Sequence, residues 1–330
     1  MAETSFSFAA GCMSEEVVRL FLELGEVNTE SPDNYGRTPL SHGAESGCEG
    51  GLKRLLERDE VNPESRDNSG RTPLSWATGG GNVEAVGLLL GRGGVNPESR
   101  DNYGRTPLSW AAEFVNETDA VYHGQEAPGA RSETIFNQLL ERDEVNPESR
   151  DNSGRTPLSR AVEIGYEEVV ELLLEREEVD PESRDNYGRT PLSRAARSGN
   201  EEVVKLLLGR GEVDPESRDN SGRTPLSHAA RSRSGGTLNL LLQLGGIDLE
   251  SRDNSGRTPL SHAAVTYGGE KVIELLLEQD KVNPESRDNN GRTPLSHAAE
   301  RGDKQTLKLL LERDGVDPRV PNGRRKTGLD

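Results

Sequence analysis

The hexapeptide Gly-Arg-Thr-Pro-Leu-Ser occurs eight times, beginning at Gly36, Gly70, Gly104, Gly154, Gly188, Gly222, Gly256 and Gly291, with spacings of 34, 34, 50, 34, 34, 34 and 35 residues. A fixed period in this range is the signature of stacked supersecondary units. No such unit buries its apolar face alone, so stability is a sum over units and the interfaces between them. The longer interval after Gly104 reads as a loop insertion, at about 115–132, within an otherwise regular array. Stacking also accounts for the composition. Hydrophobic residues make up 31% and aromatics 4% of the 330 residues. That is too little for two thick globular cores but suits a thin core shared along a stack.

One unit, starting at Pro181, reads PESRDNYGRTPLSRAARSGNEEVVKLLLGRGEVD. Thr190 before Pro191 marks a helix start, because the Thr hydroxyl caps orphan N–H groups and Pro at the first position has none to lose. Leu192, Ala195 and Ala196 share one face, giving a short helix whose small residues let a neighbour come close. Gly199-Asn200 breaks it. Glu201-Glu202 then open a second helix at the positive end of its dipole, with Val203, Val204, Leu206, Leu207 and Leu208 as the buried face. The turn-forming stretch from Gly209 to Gly222 returns the chain to the next Thr-Pro.

This period and the Thr-Pro-Leu motif resemble the ankyrin repeat, over about residues 1–320. The resemblance implies an all-α ankyrin-repeat solenoid of helix-turn-helix units joined by projecting hairpins. Residues 1–35 form an N-terminal partial unit, 36–320 hold eight repeats, and 321–330 form a degenerate basic end. The near-identity of the units is similar to fungal ankyrin-repeat arrays, including those attached to nucleotide-binding sensor domains. Two departures stand out. Ser (Ser41, Ser75, Ser109, Ser159, Ser193, Ser227, Ser261, Ser296) replaces the family's usual His, so the hydrogen bonding of the helix start must be replaced or lost. The extra residue of the 34-residue period is expected in the hairpin.

Signals for chemistry are weak. His42, His228, His262 and His297 share one position. Equivalent positions in stacked helices are about 8–10 Å apart, too far for imidazoles that each sit about 2 Å from one Zn²⁺. Ser227-His228 are helix neighbours that do not face one another, and no Gly-x-Ser-x-Gly elbow is present. Gly79-Gly80-Gly81 lacks the Lys-Ser/Thr of a phosphate loop. The carboxylates of Glu141-Arg142-Asp143-Glu144 recur on a periodic, solvated face. No cofactor, metal or catalytic group is expected. The net charge of −18 disfavours nucleic acid and anionic membranes as partners. Cys12 and Cys48 do not make a disulfide framework, and without a leader the Asn116-Glu117-Thr118 sequon goes unused. A soluble, monomeric protein of the cytoplasm, or of the nucleus given Arg324-Arg325-Lys326, is expected.

Positions that vary between near-identical units are free of stacking duty. One such column holds Tyr35, Tyr103 and Tyr187, with Ser or Asn elsewhere. Another, after the repeated Ser, reads His42, Trp76, Trp110, Arg160, Arg194, His228, His262, His297. The ankyrin resemblance implies that both face the concave groove, with an aromatic part followed by a cationic part. The expected ligand is a protein carrying an apolar anchor and an acidic segment, bound more weakly as the His titrate between pH 6 and 8. The Glu-Ser-Arg-Asp of each hairpin is expected to supply register and solubility, since exposed pairs contribute about 0–1 kcal/mol. The function predicted is noncatalytic protein recognition by a scaffold, adaptor or sensor array. The alternative is a regulatory region of a larger enzyme or nucleotide-binding signalling protein.

Overall fold

The computed structural model describes residues 10–11, 15–24, 28–113, 128–313 and 315–317. Every regular element among them is helical. The chain divides into two compact units, residues 1–161 with 168–180, and residues 162–167 with 181–330. The helices run in short pairs. In the first unit α1 (Glu15–Leu24) is followed by α2 (Pro39–Ser46) and α3 (Glu49–Leu56), α4 (Pro73–Gly79) and α5 (Val83–Gly91), and α6 (Pro107–Ala111) and α7 (Pro128–Leu140). Next come α8 (Pro157–Ile164) and α9 (Glu167–Leu174). The second unit continues with α10 (Pro191–Ser198) and α11 (Glu201–Leu208), α12 (Pro225–Ala229) and α13 (Gly235–Leu242), α14 (Pro259–Ala264) and α15 (Glu270–Leu277), and α16 (Pro294–Arg301) and α17 (Lys304–Leu311).

Each first helix starts as its residues dictate. Thr190, in extended conformation, accepts a hydrogen bond from the N–H of Ser193, with Pro191 at the first helical position. The same cap recurs at Thr38, Thr72, Thr106, Thr224, Thr258 and Thr293. Ser therefore takes over the helix start from the family's His: its N–H satisfies the cap, and its hydroxyl lies 3.3 Å from that of Thr190. The Thr hydroxyl also reaches the following loop, as from Thr72 to Ser99 and from Thr224 to Ser251, both at 3.3 Å.

The core is as thin as the composition requires. Leu192, Ala195, Ala196, Val203, Val204 and Leu207 are fully buried, while Leu206 and Leu208 are only half-buried. Three consecutive leucines span about 200° of a helix, more than one neighbour can cover. In the second unit the core is built around Leu226, Leu238, Leu241, Leu260, Ile273 and Leu276. Burying each such side chain contributes about 1.5–3 kcal/mol, so stacking carries most of the stability. The segment expected as a loop at 115–132 falls between α6 and α7. Pro128 and Gly129 already belong to α7, whereas Asn116, Tyr122 and His123 lie outside the described residues, as do residues 1–9, Cys12 and the basic stretch Arg324-Arg325-Lys326.

The loops between pairs are tied by backbone. The N–H groups of Asn68, Asn102 and Asn152 donate to the carbonyls of Tyr35, Ser69 and Tyr103, and those of Asn220, Asn254 and Asn289 to Tyr187, Ser221 and Ser255, all at 2.9 Å. The repeated Gly sits at this joint with φ between 73° and 79°. That is a left-handed conformation which costs other L-residues roughly 1–2 kcal/mol. At Gly70 a Cβ would also lie 2.5 Å from Asn102 Oδ1 and 2.9 Å from its backbone nitrogen. Gly70→Ala should lower the unfolding free energy by about 1–3 kcal/mol in urea titrations. Gly91→Ala, at a helical position with nothing within 4 Å, should be neutral or slightly stabilising.

Candidate protein-recognition surface

Each interhelical loop is built on one carboxylate. Asp33 Oδ1 accepts from the backbone N–H of Tyr35 at 2.8 Å and of Arg37 at 2.9 Å, while its own N–H donates to the carbonyl of Arg37. Oδ2 takes the Arg37 guanidinium at 2.9 Å. The pattern repeats with Asp67 and Arg71, Asp101 and Arg105, Asp151 and Arg155, Asp185 and Arg189, Asp219 and Arg223, and Asp288 and Arg292. An Asp at this point closes the turn through its side chain, which is why Asp-Asn-x-Gly-Arg folds as a tight loop.

The column expected to face the groove serves this carboxylate instead. Arg160, Arg194, His228, His262 and His297 are at most 4% exposed. Each sits on the Asp nine residues earlier. Arg160 reaches Asp151, Arg194 reaches Asp185 at 2.5 Å, and His228 reaches Asp219 at 3.0 Å. His262 lies 3.0 Å from Asp253 and His297 3.1 Å from Asp288. His42 is half-buried and 3.1 Å from Asp33. The expectation of a free cationic stretch made by Arg160, Arg194, His228, His262 and His297 is therefore corrected, and His42, expected on the same groove, is likewise drawn to its loop carboxylate. The helix start places the residue after Ser beneath the loop, where a buried carboxylate draws in a donor. Arg194 also pairs with Glu163 at 2.8 Å, and Arg160 pairs with Glu113.

Trp76 and Trp110 occupy the same position in two units and are half-buried. They roof the loop arginines: Arg71 lies 3.4 Å from the Trp76 ring centre and Arg105 3.6 Å from that of Trp110, with Arg37 5.4 Å from Trp76 and Arg71 5.2 Å from Trp110. Tyr35, Tyr103 and Tyr187, by contrast, are 69%, 61% and 62% exposed at the loop tips. Arg37, Arg105 and Arg189 stand 5.4, 5.0 and 4.8 Å from their ring centres. Such contacts hold a ring in place and contribute roughly 0.5–1 kcal/mol at exposed sites.

The Glu-Ser-Arg-Asp residues do more than solvate the loops. Glu30 accepts from Asn62 N–H at 3.0 Å and the Ser65 hydroxyl at 2.6 Å in the following unit. Glu182 binds Asp214 N–H at 3.1 Å and Ser217 at 2.7 Å. Arg184 donates to the carbonyls of Gly188 at 3.0 Å and Arg218 at 2.7 Å. Burial pushes the carboxyls of Glu64, Glu148, Glu182 and Glu216 above their ordinary value. The Asp and Arg columns, missed as working residues because they do not vary, carried a readable signal: a donor or Trp always stands nine residues after the Asp.

The histidines titrate low. Burial is the main cause, and for His228 and His42 the neighbouring Arg223 and Arg37 add to it against the pull of Asp219 and Asp33. Burial acts likewise on His262 and His297. Desolvation would raise Asp219, but hydrogen bonds from His228 and Arg223 hold it far below the carboxylate range. The histidines are therefore neutral donors at pH 7, and the expected change in binding between pH 6 and 8 does not follow from them. In the unfolded chain a His titrates near 6.5. Their contribution to stability is thus full above about pH 6.5 and is lost as pH falls through the lowered folded values. Urea midpoints should stay level from pH 8 to 7 and fall on acidification to pH 5, less so in a His228→Gln/His262→Gln/His297→Gln variant. Arg194→Ala should cost roughly 1–3 kcal/mol by leaving Asp185 short of a donor, whereas Arg194→His, the residue of four other units, should largely restore the urea midpoint.

Among the described residues no three His, Cys, Asp or Glu groups converge as metal ligands, and no helix is long and apolar enough to cross a membrane. A comparison with curated protein sequences finds no match. A family profile described as ankyrin repeats, in three copies, matches residues 49–122, 127–219, 211–288 and 251–322. With that match over most of its length, paired short helices, Thr-Pro-Leu helix starts and Asx-closed loops, the chain belongs to the ankyrin repeat family.

Proposed function

We propose that the chain is a noncatalytic recognition module, a scaffold, adaptor or sensor array that holds a protein partner through its loop tips and the first helices beside them. Ankyrin repeats are in general protein–protein interaction modules, and the observation that carries this reading is the exposure of three tyrosines. In a chain with only 6 Tyr, 5 Phe and 2 Trp, Tyr35, Tyr103 and Tyr187 remain more than 60% exposed. Their neighbours in sequence are committed to the loop: Asp33, Gly36 and Arg37 close it around Tyr35. Nothing in the loop geometry demands an aromatic there, since other units carry Ser69, Ser153, Ser221 and Ser255 at the same place. Rigid, solvated tyrosines on a polar frame are the side chains enriched at binding hot spots.

Trp76 and Trp110 add half-buried apolar surface beside Tyr35 and Tyr103 within the first unit. The six buried or half-buried His and Arg residues of the same column support the surface from beneath. Residues 15–33, with α1, serve as a cap on the first full repeat.

The test uses the sequence's own alternative. A Tyr35→Ser/Tyr103→Ser/Tyr187→Ser variant restores the serine of the other units, so its thermal midpoint should match that of the parent. Capture of a partner from native extract should drop at least tenfold, as expected of hot spots contributing about 2 kcal/mol or more. Equal capture by both proteins would reject the loop tips as the recognition surface.

A further inference from the structure

Three residues after the column that runs from His42 to His297, the first helix carries Glu45, Glu113, Glu163 and Glu300 in four units, but Gly79, Arg197, Arg231 and Val265 in the others. Where the Glu is present it neutralises an arginine on this face. Glu45 lies 2.8 Å from Arg37, Glu113 3.2 Å from Arg105 and Glu300 3.4 Å from Arg292, and Glu163 lies 2.8 Å from Arg194. The molecule thus shows four times over what belongs beside these guanidinium groups: a carboxylate.

In the second unit two consecutive repeats lack it and carry an added cation in its place. Arg197, in the last turn of α10, and Arg231, just past α12, are exposed. Helices α10, α12 and α14 pack in succession. Arg223 keeps only its loop partner Asp219. In the next repeat His262 Nε2 lies 3.0 Å from Asp253, and Arg257 Nε is buried without a hydrogen-bond partner. Among the described residues no carboxylate pairs with the guanidinium groups of Arg197, Arg231 or Arg257. Burial first, and then Arg223, Arg197 and Arg257, make Arg231 harder to keep charged than a free guanidinium, against the pull of Asp253. A chain of net charge −18 thus carries, on the first-helix face of its second unit, a cationic patch in which Arg223 is paired with Asp219 and the other three arginines have no carboxylate partner among the described residues. The helix dipole favours a cation at Arg197, but it accounts neither for Arg231 beyond its own helix end nor for the missing partner of Arg257.

We infer that Arg197, Arg223, Arg231 and Arg257 form a docking site for an extended acidic segment of a protein partner, whose carboxylates take the places that Glu45, Glu113 and Glu300 fill in other repeats. Adjacent first helices stand about 8–10 Å apart, and a chain in the extended polyproline II conformation advances about 3.1 Å per residue with three residues per turn, so every third side chain returns to the same face. The matching segment therefore carries Asp or Glu at every third position. Arginine suits this task because its planar fork pairs with carboxylates in two-pronged fashion. This site rests on the recognition function proposed above and gives the partner a chemistry.

The intact protein is titrated against a fluorescein-labelled Glu-Gly-Gly-Glu-Gly-Gly-Glu peptide, its Gln counterpart and a phosphoserine counterpart, with anisotropy read at low salt. The Glu peptide should bind at least tenfold more tightly than the Gln peptide and weaken as salt is added. An Arg197→Glu/Arg231→Glu variant restores the carboxylate of the other repeats. It should lose at least tenfold in Glu-peptide affinity while keeping the parent's thermal midpoint. Absence of binding, equal binding of the Gln peptide, or full binding by the variant would overturn the site; tighter binding of the phosphoserine peptide would replace the carboxylate with a phosphorylated ligand. If peptide binding fails while partner capture still depends on Tyr35, Tyr103 and Tyr187, only the acidic-segment inference falls. If capture is also independent of those tyrosines, the recognition reading falls with it.

Discussion

A single aspartate, buried in six units and half-buried at Asp33 and Asp253, organises each loop. Its two oxygens are divided between tasks: Oδ1 closes the loop through two backbone N–H groups, and Oδ2 gathers the loop arginine and, at Asp33, Asp151, Asp185, Asp219 and Asp288, the His or Arg nine residues on. A carboxylate with that many donors keeps its charge at low dielectric, where an unpaired one would be costly. The loop places the repeated Gly against the next Asn, the Thr over the helix start and the Glu against the following unit. Loop, helix and joint share one electrostatic centre, which is why so few apolar residues suffice.

The fold was legible because repetition makes the signal redundant. Thr190-Pro191 reads as a helix start at any one unit, and eight such starts in register leave little room for another architecture. Which half of the Leu triplet faces inward was not legible: Leu206 and Leu208 are as apolar as Leu207 and differ only in the direction the helix gives them. Burial within the variable columns was not legible. Variation singled out the Tyr that stand exposed at the loop tips and the half-buried Trp, and equally Arg160, Arg194 and the histidines, which vary because several donors can satisfy one carboxylate. Interchangeability looks like freedom in a sequence when it is equivalence in a structure.

The converse error concerned residues that hardly change. Glu182 and Arg184 were expected to supply register and solubility as exposed pairs; that they supply register through hydrogen bonds to partners 32 to 35 residues away is something no local pattern reveals. The arginines at 197 and 231 were passed over for a related reason. Their meaning lies in a carboxylate that other units have and these lack, visible only once Arg37, Arg105 and Arg292 are seen with their glutamates.

The 2.9 Å bonds from the N–H groups of Asn68, Asn102, Asn152, Asn220, Asn254 and Asn289 to the carbonyl before the previous loop's Gly use backbone atoms alone, so such a joint does not depend on whether Tyr or Ser stands at the tip. Whole units can be duplicated, deleted or exchanged in a gene without any new interface having to be invented. The residues that confer individuality, Tyr or Ser at a tip and Glu or Arg on a helix, travel with their unit as cargo. The array is in this sense a chain of standard couplings, and the order of its variable side chains can be rewritten by recombination as readily as by point substitution.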